Sequence, residues 1–422
     1  MATKMHYSQL STRGSSNIAS IAPSIGVKII ERRDPDAFDI DLSTDENCLL
    51  REELTDICKS AANDGLRSHH FSAQASAGEP MLLESLAKLF NNYFNPCIPV
   101  SPHHIVTGLD AKSCLDALLY KICDPEDGVL VPGPYWNGDA VNFRSRTSVQ
   151  PVPVNTENFM DLFTLNLIPI MEEAMDKATC RIRALILTNP HNLFGQCYPQ
   201  EVLEACLKFC QRREIHLISD EVYGMTTFSC AEISDPAPFI SALSLDASAL
   251  RCDRSRIHTI WGIGKDFGAS GSRMGCIISQ DNRELNVSPA AAPNPQVSSL
   301  SAIFTMTLLS SPTLPLLVAL NSARLAESYI LVTSFFIRHR IDYIPVNAGL
   351  NIFARLVPNA KTWEDESNMI MKLKENGVVV RGGGSYHGTL MEKGWVRISF
   401  ALEEHQLQEA LHRIKTALHL ES

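Results

Sequence analysis

Short apolar runs alternate with longer amphipathic stretches through the middle of the chain. The apolar runs are rich in Val, Ile and Leu, which predicts strands that are buried on both faces. They lie at Gly128–Val131, Ala184–Leu187, His216–Ser219, His258–Trp261 and Met274–Ser279. The amphipathic stretches Ala111–Ile122 and Gln200–Arg212 predict helices between them. The alternation predicts an α/β fold with a mostly parallel sheet between helices.

The pattern changes after about residue 320. A long helical stretch is followed by an apolar segment, a helix, two strands and a last helix. These lie at Tyr343–Leu356, Trp363–Asn376, Val378–Val380, Val396–Phe400 and from about Glu403. This mixture predicts a second, smaller α+β domain.

The most apolar segment of the chain is Ser299–Leu320. It contains Pro312, Pro315 and several serines, and no uninterrupted apolar run in it reaches the roughly 18 residues that a membrane span needs. We therefore interpret it as a buried helix and loop, and we expect no association with a membrane.

Composition and charge exclude several classes of protein. The chain has 422 residues, of which 45% are hydrophobic and 20% charged, as in ordinary globular proteins large enough to bury a core. Its 37 Lys and Arg and 47 Asp and Glu give a net charge of −10. That balance lacks the basic footprint of a nucleic-acid-binding protein, so we expect a small-molecule partner and no nucleic acid.

The cysteines and the N-terminus bear on the compartment. The twelve cysteines lie between Cys48 and Cys276 and form no C-x-x-C pair, which gives little support for a zinc or redox motif. Cys206 and Cys210 fall on one face of a predicted helix and are expected to be core thiols. The first residues contain no apolar signal core. Free thiols in this number favour a reducing, cytoplasmic location.

The segment Trp261–Gly275, WGIGKDFGASGSRMG, holds five glycines in fifteen residues. One interpretation is a dinucleotide-binding fingerprint at Gly262-x-Gly264. However, Phe267 occupies the third glycine position, and the next predicted strand begins too soon to leave room for a crossover helix. The other interpretation is a lysine that binds a cofactor, because Lys265 sits between glycines directly after a predicted strand.

The lysine segment resembles that of fold-type I pyridoxal 5'-phosphate (PLP) enzymes, the class I/II aminotransferases. Within them it is most similar to the 1-aminocyclopropane-1-carboxylate (ACC) synthase-like branch. Five more segments carry the resemblance in the expected order: LSTDEN from Leu42, VPGPYW from Val131, TNPHNLFG from Thr188, ISDEVYG from Ile218 and GWVRISF from Gly394. They extend from about residue 40 to about residue 400, which is nearly the whole chain.

The resemblance implies a domain division and a cofactor. It implies an N-terminal arm and part of the small domain in residues 1–64, a large PLP-transferase-like, cofactor-binding domain in 65–310 and a small C-terminal domain in 311–422. It implies PLP as the cofactor and no metal. It also implies a homodimer whose active site is shared between the subunits.

The same resemblance assigns roles at the pyridine ring of PLP. Lys265 is implied to bind the cofactor aldehyde and then to act as the general base at the substrate α-carbon. Asp220 is implied to pair with the pyridine nitrogen, while Tyr223 and Asn192 stabilise the ring oxygen. Trp136 is implied to stack on the ring. Taken alone, Asp220 is an ordinary residue at a strand end and Trp136 a packed core residue.

Three further roles concern anionic groups. Arg273 is implied to pair with the cofactor phosphate and Arg397 to grip the substrate carboxylate, although an arginine between Val396 and Ile398 could equally pair structurally. Glu46 lies in the segment that resembles the substrate-proximal start of the ACC synthase-like branch, and a plain surface acid is its alternative interpretation.

The sequence departs from the family pattern around the phosphate. Gly262 and Gly264 replace two serines, and the turn at Leu109–Asp110, also implied to bind the cofactor, places an acid where the family has Thr or Ser. The tyrosine that the partner subunit provides should fall near Phe71 or Ser72, and neither offers a phenol. Asp110 is also an ordinary residue at a helix start. We expect weakened cofactor affinity.

The function implied is that of a PLP-dependent enzyme acting on an α-amino acid or an amino-acid-derived conjugate. The reaction is either transamination or carbon–sulfur or γ-elimination lyase chemistry, and the resemblance to this branch suggests a role in specialised metabolism. The alternative is a cofactor-weakened or non-catalytic member of the fold, acting as a binding protein or as a PLP-independent enzyme.

Overall fold

The computed structural model describes residues 10–16, 38–72, 78–136, 143–144, 146–287, 296–387 and 393–420. The helices are α1 (Arg51–Ser60), α2 (Pro80–Tyr93), α3 (Ala111–Ile122), α4 (Leu167–Lys177), α5 (Gln200–Arg213), α6 (Ile263–Asp266), α7 (Arg283–Val287), α8 (Ser299–Ser310), α9 (Leu314–His339), α10 (Trp363–Glu375) and α11 (Glu404–Ala417).

The strands alternate with these helices. They are β1 (Ile40–Asp41), β2 (Ile105–Gly108), β3 (Gly128–Pro132), β4 (Tyr135–Trp136), β5 (Gln150–Val154), β6 (Ile182–Thr188), β7 (His216–Asp220), β8 (Ile257–Gly262), β9 (Gly275–Ile278), β10 (Asp342–Ile344), β11 (Asn351–Arg355), β12 (Val378–Val379), β13 (Arg381–Gly382), β14 (Tyr386–His387) and β15 (Trp395–Ser399).

A seven-stranded sheet forms the centre of the large α/β layer, in the order β2-β9-β8-β7-β6-β3-β5. Its ladders from β8 through β5 are parallel, and β9 runs antiparallel to both β8 and β2. All residues of β3, β8 and β9 are buried, as the apolar runs predicted. Those of β2, a strand that was not predicted, are buried as well. The predicted α/β fold with a mostly parallel sheet is confirmed.

The helix that follows β2 shows how local sequence fixes an element. Asp110 accepts a hydrogen bond from Ser113 N at 2.6 Å, and the Ser113 hydroxyl accepts one from Asp110 N at 3.0 Å, so that the two residues form a capping box. The first turn of α3 is thereby fixed beside the ends of β2 and β9. The predicted bounds of this helix, Ala111–Ile122, are confirmed.

A four-stranded antiparallel sheet, ordered β10-β11-β15-β13, forms the core of the C-terminal part with α9, α10 and α11. The smaller α+β unit predicted from the sequence is therefore present. The N-terminal strand β1 pairs with β12 and so joins this part, which no pattern in its two residues indicated.

The segment Ser299–Leu320 corrects one expectation. It is not a helix and loop: α8 ends at Ser310 and the long α9 already begins at Leu314. Pro315 lies in the first turn of α9, where a proline lacks only an N–H that has no helical partner.

Among the described residues, α9 is long and apolar enough to cross a membrane by length and composition alone. One face of this helix packs into the core of the C-terminal part. Leu325, Val332 and Phe336 are fully buried, and Arg324 in mid-helix forms an ion pair with Glu53 at 2.8 Å. The core helix of a folded protein passes the same test of length and composition.

All twelve cysteines are free thiols, and Cys206 and Cys210 are buried as predicted.

Candidate active site

A cavity of about 430 Å³ opens beyond the carboxyl ends of the parallel strands β6, β7 and β8. This volume is typical of a small-molecule site, and the position is where open α/β sheets bind ligands. Nine residues proposed from the sequence line it: Glu46, Asp110, Trp136, Asn192, Asp220, Tyr223, Lys265, Arg273 and Arg397. Leu109 is not among the lining residues.

Lys265 lies on α6, one turn of helix directly after β8. Its Nζ donates a hydrogen bond to the main-chain carbonyl of Asp45 at 2.5 Å. Asn47 Nδ2 in turn donates to the Lys265 carbonyl at 3.1 Å and to Asn321 Oδ1 at 2.9 Å. The N-terminal segment therefore fixes both the main chain and the amine of the lysine.

Asp220 and Tyr223 are placed together by the end of β7. Asp220 is its last residue and lies opposite Thr188, where the TNPHN loop begins on the neighbouring strand. Tyr223 follows on the next turn and is buried, which raises its pKa well above the ordinary value. The tyrosine therefore stays protonated and able to donate a hydrogen bond.

Arg397 projects from β15 and is almost fully buried. Its Nη1 donates to Asn192 Oδ1 at 3.0 Å and lies 2.5 Å from Asp45 Oδ1, while its Nη2 donates to the Ser43 carbonyl at 2.8 Å. Asp45 and the ring of Tyr386, 5.8 Å from the guanidinium, raise the pKa of Arg397 against the opposing effect of burial. Arg397 and Asn192, both proposed from the sequence, are thus in direct contact.

Asp45 is a residue of the cavity that was not predicted from the sequence. The sequence predicted the next residue, Glu46, as the acid near the substrate. Both acids line the cavity, but only Asp45 forms an ion pair with Arg397. Burial opposes its ionisation, yet Arg397, Lys265 and a hydrogen bond from Asn351 lower the pKa of Asp45 to about 2.

Trp136 lies at the junction of the two parts of the fold. Its strand β4 pairs with β14, which sets Trp136 opposite Tyr386. Two cations flank the indole: Arg381 at 4.9 Å and Lys112 at 5.4 Å from the ring centroid. Both cations line the cavity.

At the other end of the cavity, Arg273 forms an ion pair with Asp110. Burial raises the pKa of Asp110, but hydrogen bonds from Ser113 and the charge of Arg273 outweigh it and lower the pKa. Asp110 therefore acts both as the helix cap and as the partner of the arginine. The two interpretations of Asp110 hold at once.

Two glycines allow close contacts between main-chain segments at the end of the cavity where Arg273 and Asp110 lie. A Cβ on Gly275 would lie 2.3 Å from the Asp110 carbonyl carbon and 2.5 Å from Ala111 N. A Cβ on Gly262 would lie 3.0 Å from the Met274 carbonyl oxygen. The first turn of α3, with its main-chain N–H groups, is thus packed directly against β9. Phe71 and Ser72 do not line the cavity, and Phe71 is 82% exposed.

The donor set fits PLP. Lys265 offers an amine, Asp220 a carboxylate for the pyridine nitrogen, and Tyr223 and Asn192 hydrogen-bonding groups for the ring oxygen. Arg273 and the N-terminus of α3, which Gly275 allows to approach, form a cradle suited to a phosphate. Asp110 lies in the same cradle, and its negative charge repels a phosphate.

Comparison with known proteins agrees with this fit. Residues 39–414 match the family described as aminotransferase class I and II. The chain is 48% identical over 410 residues to a probable aminotransferase, aclI, of Aspergillus oryzae, covering 97% of this chain and 98% of that one. It is 30% identical over 320 residues to 1-aminocyclopropane-1-carboxylate synthase 7 of Arabidopsis thaliana, covering 74% and 70%.

A third relative is a trimodular acetylaranotin synthesis protein of Aspergillus terreus. It is 42% identical over 259 residues, which cover 61% of this chain and 29% of that protein. Among solved structures, an aspartate aminotransferase mutant from Thermus thermophilus superposes with a TM-score of 0.76 at 21% identity, covering 97% of this chain and all of that one. That likeness shows a shared fold.

The family match covers residues 39–414, a range that contains Lys265, Asp220, Tyr223 and Arg397. The protein belongs to the class I and II aminotransferases, in company with ACC synthase-like relatives, and is a PLP-dependent enzyme.

Proposed function

We propose that the protein acts at the α-carbon of an amino-acid-derived conjugate, as an aminotransferase or as a carbon–sulfur or γ-elimination lyase. The observation that carries this proposal is the single cavity onto which Lys265, Asp220, Tyr223 and Arg397 converge. An amine, a ring-nitrogen partner, a phenol and a cation in one small-molecule site are the groups that such chemistry requires.

When bound, PLP supplies an electron sink that stabilises negative charge at the substrate α-carbon. Asp220 would hold a proton on the pyridine nitrogen, and the protonated Tyr223 would donate a hydrogen bond to the ring oxygen. Lys265 removes the proton at the α-carbon and returns it. The Asp45 carbonyl, 2.5 Å from Nζ, holds the amine in place between these transfers.

The two reactions share this first proton transfer and diverge afterwards. In transamination Lys265 would return the proton to a different carbon, and the substrate would leave as a keto acid while its amino group passes to an acceptor keto acid. In elimination Lys265 or a nearby donor would protonate the leaving group as its bond to the β- or γ-carbon breaks. The relatives named as aminotransferases support the first, and the ACC synthase relative supports chemistry beyond simple transamination.

Product analysis separates the two reactions. The holoenzyme is incubated with amino acids and with cysteine- or homocysteine-derived thioether conjugates, with and without a keto acid. Turnover that depends on the keto acid establishes an aminotransferase. Release of a thiol, ammonia and a keto acid without an acceptor establishes a lyase. No turnover with any of these compounds, in protein that binds PLP, contradicts the proposal.

Three further parts of the proposal concern context. We propose a homodimer, as the family resemblance implies, and gel filtration that shows only a monomer at high concentration would contradict it. A cytoplasmic location is supported by twelve free thiols. A role in specialised metabolism is supported by the acetylaranotin synthesis relative.

A further inference from the structure

The cavity holds two basic side chains to which the proposed function gives no role. Lys112 and Arg381 both line it, and in the described part of the chain neither forms an ion pair. By contrast, Arg273 and Arg397 each pair with an aspartate, and Lys265 donates to a main-chain carbonyl. Lys112 and Arg381 therefore bring into the cavity a positive charge that no described carboxylate neutralises.

The two side chains meet at the indole of Trp136. Lys112 lies in the first turn of α3, with its Nζ 5.4 Å from the ring centroid, and Arg381 lies on β13, with its guanidinium 4.9 Å from the same centroid. The indole attracts each cation, but the two cations repel each other beside one ring. An anion that contacts both of them removes this repulsion.

Arg381 is held so that its two terminal nitrogens remain available. Its Nε donates to the Ser43 carbonyl at 3.2 Å, and the described residues supply no acceptor for Nη1 or Nη2. A guanidinium in this state binds a carboxylate through two parallel hydrogen bonds. Lys112, which is exposed on α3, adds a point charge with three donors. Together they suit a carboxylate better than a neutral group.

This pair of cations adjoins the arginine that the substrate α-carboxylate requires. Arg397 Nη2 donates to the same Ser43 carbonyl at 2.8 Å, and its buried Nε has no hydrogen-bond partner among the described residues. Arg397 thus keeps a donor for the α-carboxylate, and Arg381 lies beside it, next to Trp136. A substrate held at Arg397 therefore needs only a short side chain to place a second acid between Arg381 and Lys112.

We propose that Lys112 and Arg381 form a second anion-binding subsite beside Trp136, and that the side chain of the substrate carries a carboxylate that occupies it. The inference rests on the proposed function and names its substrate class: an amino-acid conjugate with two carboxylates, one held by Arg397 and one by this subsite. A neutral amide of the same shape forgoes the charge-assisted hydrogen bonds and binds less tightly.

The test compares conjugates that differ only in the charge of the side chain. S-(carboxymethyl)-L-cysteine and S-(2-carboxyethyl)-L-cysteine are each paired with their side-chain primary amide. Each compound is titrated into the holoenzyme, and binding is followed by the change in the visible spectrum of the cofactor. The titrations are repeated on Lys112→Gln, on Arg381→Gln, on the double variant and on Lys88→Gln. Lys88 is exposed on α2 and does not line the cavity. Fluorescence titration of each apoprotein with PLP and with pyridoxal measures cofactor affinity separately.

The wild-type holoenzyme is expected to bind at least one of the acids about tenfold more tightly than its amide, a difference of about 1.4 kcal/mol. This preference should shrink as the salt concentration rises, because Lys112 is exposed to solvent. Each single variant should reduce the preference to about threefold, the double variant should abolish it, and Lys88→Gln should keep it. The ratio of the two affinities cancels general damage to the site. The wild-type comparison needs no variant, so it remains decisive if a variant does not fold.

A wild-type enzyme that binds each amide as tightly as its acid overturns the inference and leaves the proposed function intact, because the amine still reaches the cofactor. A preference for the acid that survives in the double variant belongs to other cations and overturns it as well. If the double variant loses affinity for PLP but not for pyridoxal, Lys112 and Arg381 serve the cofactor phosphate, and the inference is wrong. A holoenzyme whose spectrum responds to none of the conjugates contradicts both the inference and the proposed function.

Discussion

Arg273 and Asp110 form an ion pair at the end of the cavity where a phosphate would be held. The pair links β9 to the capped N-terminus of α3, so a single aspartate neutralises the arginine and contributes to the helix cap. A phosphate bound there shares its cation with Asp110 and approaches a carboxylate of like charge. The pairing is a physical reason to expect weak binding of the phosphate.

Asp110→Ser is therefore expected to tighten PLP binding. Serine retains an N-capping hydroxyl, so α3 keeps its start, while the negative charge is removed. The Arg273 side chain is 54% exposed, and solvent screening limits the gain to about tenfold in the dissociation constant. Fluorescence titration of the apoprotein with PLP measures it.

Pyridoxal, which lacks the phosphate, is the matched control ligand for this variant. Its affinity should not change, because Asp110 acts on the phosphate alone. The gain for PLP should also shrink as salt concentration rises. Equal tightening for pyridoxal and PLP, or no tightening for either, would show that Asp110 does not compete with the phosphate.

Lys265→Ala is expected to remove the visible absorption band that PLP acquires on the enzyme and to lower turnover by about 10³-fold or more. The change deletes both the amine that binds the aldehyde and the base at the α-carbon. Lys88→Ala, on the exposed side of α2, removes the same charge away from the cavity and serves as control. A Lys265→Ala enzyme with most of its turnover would assign the base to another residue, Lys112 being the other lysine that lines the cavity.

The sequence predicts those parts of the fold that depend on local pattern. The buried strands β3, β6, β7, β8 and β9 and the bounds of α3 follow from runs of apolar residues, amphipathic spacing and a capping aspartate. Ser311–Thr313 breaks Ser299–Leu320 into two helices, and this break was not predicted, because prolines are tolerated in the first turn of a helix as well as in loops.

The residues of the candidate site could be predicted where they belong to a sequence motif. They could not be predicted where a contact depends on how distant parts of the chain fold together. Asp45 and Glu46 are adjacent acids, and only the backbone course after β1 decides which one meets Arg397. The two cations on Trp136 come from α3 and β13, elements far apart in sequence. Pattern along the chain carries no information on such encounters.

The raised pKa of Glu221 predicts that the free energy of unfolding depends on pH. It is fully buried and accepts hydrogen bonds from Ser241, Ala242 N and Ser219, but burial dominates and raises its pKa to about 7 from 4.5. The folded state therefore holds this proton more tightly than the unfolded state. The stabilising contribution is fully present below about pH 4.5 and is lost as the pH rises through 7, by on the order of 3 kcal/mol.

Glu221→Gln should remove this component, because the amide cannot ionise. The difference in unfolding free energy between wild type and variant, measured by denaturant titration at several pH values, should shift in favour of the variant between about pH 4.5 and 7. Glu201→Gln, at an exposed position on α5, is the control and should give a curve parallel to the wild type. If the curve for Glu221→Gln is also parallel to that of the wild type, the ionisation that lowers stability belongs to a group other than Glu221.

Gly275→Ala tests whether close backbone approach builds the phosphate cradle. Its Cβ would meet the main chain of Asp110 and Ala111 at 2.3 to 2.8 Å, and main-chain atoms within a sheet and a capped helix have little freedom to move. We expect a loss of about 2–3 kcal/mol in unfolding free energy and weaker PLP binding as α3 is pushed from β9. Gly271→Ala, which meets no atom within 4 Å, should change stability by less than about 0.5 kcal/mol. If Gly275→Ala keeps the stability and the PLP affinity of Gly271→Ala, the approach of β9 to the N-terminus of α3 does not shape the site.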